Sequence, residues 1–305
     1  MFDVIIVGGS VAGLSAALVL GRARRKVVVL DSQQPRNAQS PGVHNFLSRD
    51  GILPAELRQI GRDQLKPYPS VEVRFATAEQ AQAIDSGFVV TLDDGSELHS
   101  RKLLIASGVI DELPAIEGMA ELWGSSVFHC PYCHGWEVRD QPLAVLVSDA
   151  DRLFHVATLL QNWSSDLVVC TNGEAQLSPE QRQILAKLNL PIREDHLVGI
   201  EQANGQLTHL IFDQGEPLAR SGLLIGVPQR QRSQLPAQLG CETSDNPQMP
   251  GLIKVQMLGQ TSVPGVYAAG DATAGMQQAI NAAAGGAMAG AGINHELIQD
   301  LIKQL

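Results

Sequence analysis

Val4-Ile5-Ile6-Val7-Gly8-Gly9-Ser10-Val11-Ala12-Gly13 decides the fold of this chain. The apolar run Val4–Val7 reads as a buried strand, and it passes without a linker into closely spaced glycines and an apolar helix through about Leu20. Strand, glycine turn and helix in that order make a dinucleotide-binding unit, in which backbone N–H groups at the helix start receive a pyrophosphate. Ser10 stands where a second glycine is usual. Its side chain is small enough to leave the approach open, and its hydroxyl can donate. The next strand, Lys26 to Leu30, ends in Asp31, roughly twenty residues after the turn, where a carboxylate accepts from a ribose 2′-hydroxyl.

The other motifs lie on a chain long enough for two domains. Its 305 residues are 44% hydrophobic, sufficient for packed cores. A net charge of −10 argues against nucleic acid and against anionic membrane surfaces as partners. Arg22, Arg24, Arg25 and Lys26 form the one basic cluster, where they complement the C-terminal end of the first helix. Met1 to Ile6 lacks a basic region ahead of its apolar residues and reads as a strand rather than a leader, which places the protein in the cytoplasm. Ala272 to Ile293 carries no charge, yet its Ala and Gly content with Gln277, Gln278 and Asn281 makes it a tightly packed helix rather than a membrane span.

From Val71 to Ile105 short alternating runs replace the helical period, with Asp94-Gly95 as a hairpin turn, and a β-meander is expected there. A second unit then repeats the first: strand Leu143–Val147, helix about Arg152–Trp163, strand Leu167–Val169, and a hairpin turned at Asn204-Gly205. After Val227 the chain returns to the first domain. The expectation is an α/β protein of two Rossmann-like three-layer domains, 1–112 with 228–305, and 113–227.

Cys130-Pro131-Tyr132-Cys133-His134 lies in the second domain. The spacing lets both sulfurs close a small disulfide ring at a helix start, whose dipole favours a thiolate. Cys170 and Cys241 are isolated and read as buried hydrophobes, so the pair is a redox dithiol and not part of a disulfide framework. They also supply no second ligand pair for zinc, despite His129 and His134 beside the motif, so no metal is expected. A glutaredoxin-type reading of Cys-Pro-Tyr-Cys fails because a nucleotide-binding domain precedes it. Trp123, Tyr132 and Trp136 are either a docking surface or apolar packing.

Gly8–Gly13, Ala106-Ser107-Gly108, the dithiol, and Thr261 to Asp271 followed by Gln277-Gln278-Ala279 together resemble the low-molecular-weight thioredoxin reductases, in the same order and across nearly the whole chain. The resemblance implies FAD extended along the first domain. Gly8, Ser10 and Gly13 would face the pyrophosphate, Asp31 the adenosine ribose and Asn45 the flavin side; Ala106, Gly108 and Gly270 belong to the same matched motifs. Asp271 would hold the ribityl chain, with Gln278 and Ala279 near the isoalloxazine. Cys133 would be the sulfur nearest the flavin and Cys130 the one that meets substrate. His134 replaces the aspartate that usually follows the second cysteine, and an imidazole can accept and return the thiol proton. Thioredoxin or another disulfide is the implied substrate, and a homodimer the implied assembly.

The second nucleotide turn departs from that family. Ser148-Asp149-Ala150-Asp151 puts two carboxylates where a pyrophosphate would sit, and like charges at about 4 Å repel by roughly 4 kcal/mol at an effective dielectric near 20. Cys170-Thr171-Asn172-Gly173-Glu174 supplies no arginine for a 2′-phosphate. NADPH is therefore not expected to bind. Two nicotinamide-independent branches are similar here: the ferredoxin- or diflavin-linked disulfide oxidoreductases of cyanobacteria, and the dithiol oxidases of dithiolopyrrolone and gliotoxin pathways. The preserved length of the turn favours the first, with ferredoxin as donor and room for a second flavin. A redox-responsive FAD-binding module ranks last, because the dithiol is retained.

Overall fold

The computed structural model describes residues 1–245 and 250–305, and the chain divides into two units. The first contains Met1–Ala38, Phe46–Asp111 and Gln229–Leu305. It opens with β1 (Phe2–Val7), α1 (Val11–Arg22), β2 (Val27–Leu30), α2 (Pro54–Leu65) and β3 (Val71–Arg74). There follow β4 (Ala78–Ile84), β5 (Gly87–Leu92), β6 (Glu97–Ile105) and β7 (Val109–Asp111).

The second unit comprises Glu112–Pro228 together with Gln39–Asn45, a segment that the boundaries expected from sequence assign to the first. Its elements are α3 (Met119–Leu122), β8 (Val127–Phe128), α4 (Pro131–His134), β9 (Leu143–Leu146), α5 (Ala150–Leu160) and β10 (Leu167–Cys170). Then come α6 (Pro179–Lys187), β11 (Ile192–Arg193), β12 (Leu197–Ala203), β13 (Gln206–Phe212), β14 (Leu218–Ala219) and β15 (Gly222–Ile225). The first unit resumes with β16 (Gln229–Gln231), α7 (Leu235–Gln238), β17 (Val266–Ala268), a 3₁₀ turn at Gly270–Ala272, and α8 (Ala279–Ile302).

In the first unit β3, β2, β1 and β6 are parallel neighbours, and β17 joins β6 beside Leu103–Ile105. The period-2 alternation of β1 sends Val4 and Ile6 into a core with α1 and α8, and Ile5 and Val7 into a core on the opposite face. The meander expected over Val71–Ile105 is shorter than predicted. Val71–Arg74 pairs parallel with β2 because the α2 crossover precedes it, and only β4, β5 and β6 run antiparallel.

The helix expected over the charge-free stretch Ala272–Ile293 begins later, at Ala279, and runs past that stretch to Ile302. Its glycines let α8 lie against α1: a Cβ on Gly286 would sit 1.9 Å from the Ala12 carbonyl oxygen. Lys102, nearly buried, ties its far end through Glu296 at 2.6 Å and Asp300 at 2.8 Å. No helix among the described residues is long and apolar enough to cross a membrane.

The second unit carries a parallel sheet in the order β11-β10-β9-β15-β8, with α5 packed against it, and an antiparallel β12-β13-β14 sheet turned at Asn204 and Gly205. Cys170 is buried in its core, and burial pushes its thiol up to about 12, which makes it chemically inert at neutral pH. Cys241 is likewise buried, in the first unit.

Candidate active site

Three parallel strands of the first unit, β1, β6 and β17, end side by side, and the turns that follow them carry the expected cofactor residues. Gly8 has φ of +119°, and a Cβ there would fall 2.1 Å from the Ala106 carbonyl oxygen, so only glycine lets the two turns meet. A Cβ on Gly9 would strike the Asp31 carboxyl at 2.5 Å. Ser10 is the N-cap of α1 and makes no side-chain cap, so hydrogen-bond donors at the helix start remain open to a ligand. Gly13 is required for packing. A Cβ there would lie 1.9 Å from the Gly8 carbonyl, and its part is to let helix and strand pack closely.

A cavity of about 350 Å³ opens above these turns, bordered among others by Gly8, Ser10, Asp31, Arg58, Ala106 and Ser107. Asp31 accepts from the Gln33 backbone N–H at 2.8 Å through Oδ1. Arg58 Nη1 and Ser107 Oγ are buried here with no hydrogen-bond partner among the described residues. An unsatisfied guanidinium nitrogen, an unsatisfied hydroxyl and an open helix start suit phosphates and ribose hydroxyls, so the residues present fit the adenosine diphosphate of FAD. Arg58 was not legible in the sequence, because it lies on α2, far from any motif. Gly108 stands apart from the cavity border. Its φ of +71° turns the chain, and its carbonyl accepts from the Arg232 N–H.

A second cavity, about 190 Å³, is bordered by Gly270, Asp271, Gln277, Asn281 and Met288. Gln278 is the N-cap of α8 without a side-chain cap, and Ala279 is the first helical residue. Neither borders this cavity, whereas Gln277 does. Asp271 Oδ2 accepts from Arg36 Nη1 at 2.9 Å.

The dithiol occupies the second unit. Cys130 is the N-cap of α4, Pro131 its first residue, and Cys133 Sγ lies 2.6 Å from Cys130 Sγ. The helix spans a single turn, so the dipole expected to favour a thiolate is only a fragment of a full-length one. Asn45 meets this turn: its Nδ2 donates to the Tyr132 carbonyl at 2.7 Å. His134 Nε2 lies 3.0 Å from the Gly124 carbonyl, which can only accept, so Nε2 carries the proton and Nδ1 the lone pair. Nδ1 is buried without a partner among the described residues. Burial, outweighing the Gly124 contact and the nearby Glu137 carboxylate, holds the His134 pKa below its ordinary value. A neutral imidazole with one open nitrogen is able to take a proton. His44 Nε2 lies 3.4 Å from Glu137 Oε1, which puts a second imidazole beside that carboxylate. Tyr132 and Trp136 are exposed beside the sulfurs, while Trp123 stacks on His129.

In the second strand-turn-helix unit the helix start is capped by its own side chain. Asp149 caps α5, its Oδ1 accepting from the Arg152 N–H at 2.8 Å, in the place where a pyrophosphate would be received. Asp151 does not share that place as expected, since it accepts from Gln181 Nε2 at 2.7 Å. Two arginines lie further along the chain than the Cys170–Glu174 stretch reveals. Arg182 is bound to Glu194 at 3.0 Å, and Arg193 to Asp195 at 2.9 Å. Among the described residues no cluster of His, Cys, Asp or Glu could hold a metal ion.

Fold and site together define a thioredoxin reductase-like flavoprotein, an oxidoreductase with two Rossmann-type units and a dithiol in the second. The profile of the pyridine nucleotide-disulphide oxidoreductases matches residues 2–286, and the chain belongs to that family. It is 31% identical to the thioredoxin reductase tcpT of Claviceps purpurea, over 98% of this chain and 95% of the relative. Among solved structures, HlmI superposes with a TM-score of 0.91 at 36% identity, covering 99% of this chain and 94% of its own. An oxidoreductase from Agrobacterium tumefaciens gives 0.91 at 33%, covering 97% and 98%.

Proposed function

We propose that the protein is an FAD-dependent thiol–disulfide oxidoreductase that works without a nicotinamide nucleotide, oxidising a dithiol substrate and passing its electrons to oxygen. The observation that carries the reading is Asp149. Its carboxylate fills the start of α5 from within, while Glu194 and Asp195 occupy the two nearby arginines. An incoming diphosphate would have to displace a cap and approach a carboxylate, each opposing it by about 1 kcal/mol.

In the dithiol direction, one substrate thiolate attacks a sulfur of the Cys130–Cys133 disulfide, and the second substrate thiol resolves the mixed disulfide. Substrate leaves as a disulfide, and both cysteines are left reduced. His134, neutral and with its Nδ1 lone pair open, is the base assigned to the thiol proton. Bound FAD supplies the two-electron acceptor that oxygen can regenerate. The balance is one dithiol and one O₂ consumed, one disulfide and one H₂O₂ formed.

The ferredoxin-linked alternative would need a basic docking patch, and the one basic cluster is not placed for it. Residues 22–26 join the end of α1 to the start of β2, so they lie at the opposite end of the parallel strands from Gly8, about 18 Å along a twelve-residue helix. A ferredoxin docked there would be remote from the cradle. Thioredoxin remains a candidate dithiol, since relatives such as tcpT bear the name thioredoxin reductase.

Purified protein given dithiothreitol or reduced thioredoxin in air should consume O₂ and release peroxide in equal amounts. Cys133→Ser should lower that rate by about a thousand-fold or more. Turnover with reduced ferredoxin, and none with either dithiol, would reverse the proposed direction.

A further inference from the structure

Arg36 follows β2 in the first unit and carries more polar contacts than its place in a loop requires. Its Nε and Nη2 fork onto both oxygens of Asp111, at 2.7 and 2.6 Å. Its Nη1 donates to Asp271 Oδ2 at 2.9 Å and to Gln277 Oε1 at 2.8 Å. Gln229 closes the network, donating to Asp111 Oδ1 at 3.1 Å and exchanging hydrogen bonds with Gln277. Asp111 and Gln229 are paired residues of the β7–β16 ribbon, so Asp271 is tied to a fixed piece of backbone. The Asp111 side chain is only 4% exposed, and a fork onto a buried carboxylate holds one geometry. Burial works against the charge of Arg36, yet the two carboxylates more than restore it.

Only one oxygen of Asp271 is used. Oδ1 makes no hydrogen bond among the described residues, and Asp271 borders the second cavity. We propose that Arg36 is a positioning residue: held by Asp111, it fixes Asp271 so that Oδ1 presents an acceptor to a hydroxyl of the FAD chain. This rests on the FAD reading above. Arg36 does not border this cavity, so its proposed effect there is exerted through Asp271.

The test is FAD titration of apoprotein, followed by flavin fluorescence, with the thermal stability of each apoprotein measured alongside. Arg36→Met should raise the FAD Kd about ten-fold or more, and Asp271→Asn by a similar factor. Arg36→Lys keeps the charge without the fork and should fall between Arg36→Met and wild type. The double variant Arg36→Met with Asp111→Asn removes the buried unpaired carboxylate. It should recover apoprotein stability without recovering FAD affinity, and it serves also if Arg36→Met fails to fold. Recovery of both together, or an unchanged Kd in Arg36→Met and Arg36→Lys, would make Arg36 purely structural and overturn the proposal. Wild-type apoprotein that binds no FAD would instead overturn the FAD reading, and the proposal with it.

Discussion

Two turns of this molecule stand at the same place in the same architecture and end in opposite states. Gly8–Gly13 and Ser148–Asp151 each follow an interior strand with parallel neighbours on both sides, and each open a helix. At the first, Ser10 leaves the helix start uncapped, and glycines hold back every side chain that could fill the space. At the second, Asp149 satisfies the helix start itself. A strand-turn-helix unit is therefore not a dinucleotide site by topology. It can serve as one only when its terminal N–H groups are left for the ligand, and a side-chain carboxylate at the cap competes for those groups.

The contrast can be broken most forcefully at the glycines. Gly8→Ala forces a Cβ into the Ala106 carbonyl at positive φ, and should destabilise the first unit by about 1–3 kcal/mol and raise the FAD Kd. Ser148→Ala, at the corresponding exposed place in the second turn, should change stability by no more than about 0.5 kcal/mol. Paired melting curves decide it, and equal losses would mean that the two turns are not different in kind.

Asp149→Ala removes the cap and should cost about 1 kcal/mol in denaturant unfolding. Asp149→Ser keeps a cap without charge. It should strengthen NADPH binding by only about two- to ten-fold, because Arg182 and Arg193 stay bound to Glu194 and Asp195. Equilibrium dialysis measures the change; micromolar binding in that variant would show that the carboxylate alone had closed the site.

The smallest effect concerns the dithiol turn of the second unit. His134 has a folded pKa below its unfolded value near 6.5, so the unfolded chain takes up a proton first as pH falls. Its contribution is fully present above about pH 6.5 and is lost as pH falls from there through the folded pKa. His134→Phe should therefore flatten the decline of Tm between pH 7 and about pH 5.5. An unchanged slope would mean that the imidazole titrates normally.

Much of this organisation was legible in the sequence because it follows from local rules. A strand running into glycines, an acidic residue after the next strand, and two turn dipeptides locate the sheets without any long-range knowledge. The Cys130–Cys133 pair was equally plain. Side chains brought together across the chain were not. Arg58 and Arg36 come from a helix and a loop without any motif, and only the fold aims one at the cavity and ties the other to Asp111 and Asp271. The resemblance places Asn45 on the flavin side, and no local rule shows that Gln39–Asn45 groups with the second unit, where Asn45 meets Tyr132. Gly13 and Gly108 matched their motifs, but one serves helix packing and the other the turn of the chain. At the second turn, composition identified the carboxylates but not their separate roles, because Asp149 and Asp151 differ only in which donor the fold supplies.

The most direct test is an anaerobic titration of the FAD-loaded protein, followed by the visible absorbance of the oxidised flavin. Dithiothreitol should bleach the band and NADPH should leave it, with admitted air restoring the colour as peroxide forms. Rapid bleaching by stoichiometric NADPH would contradict the account.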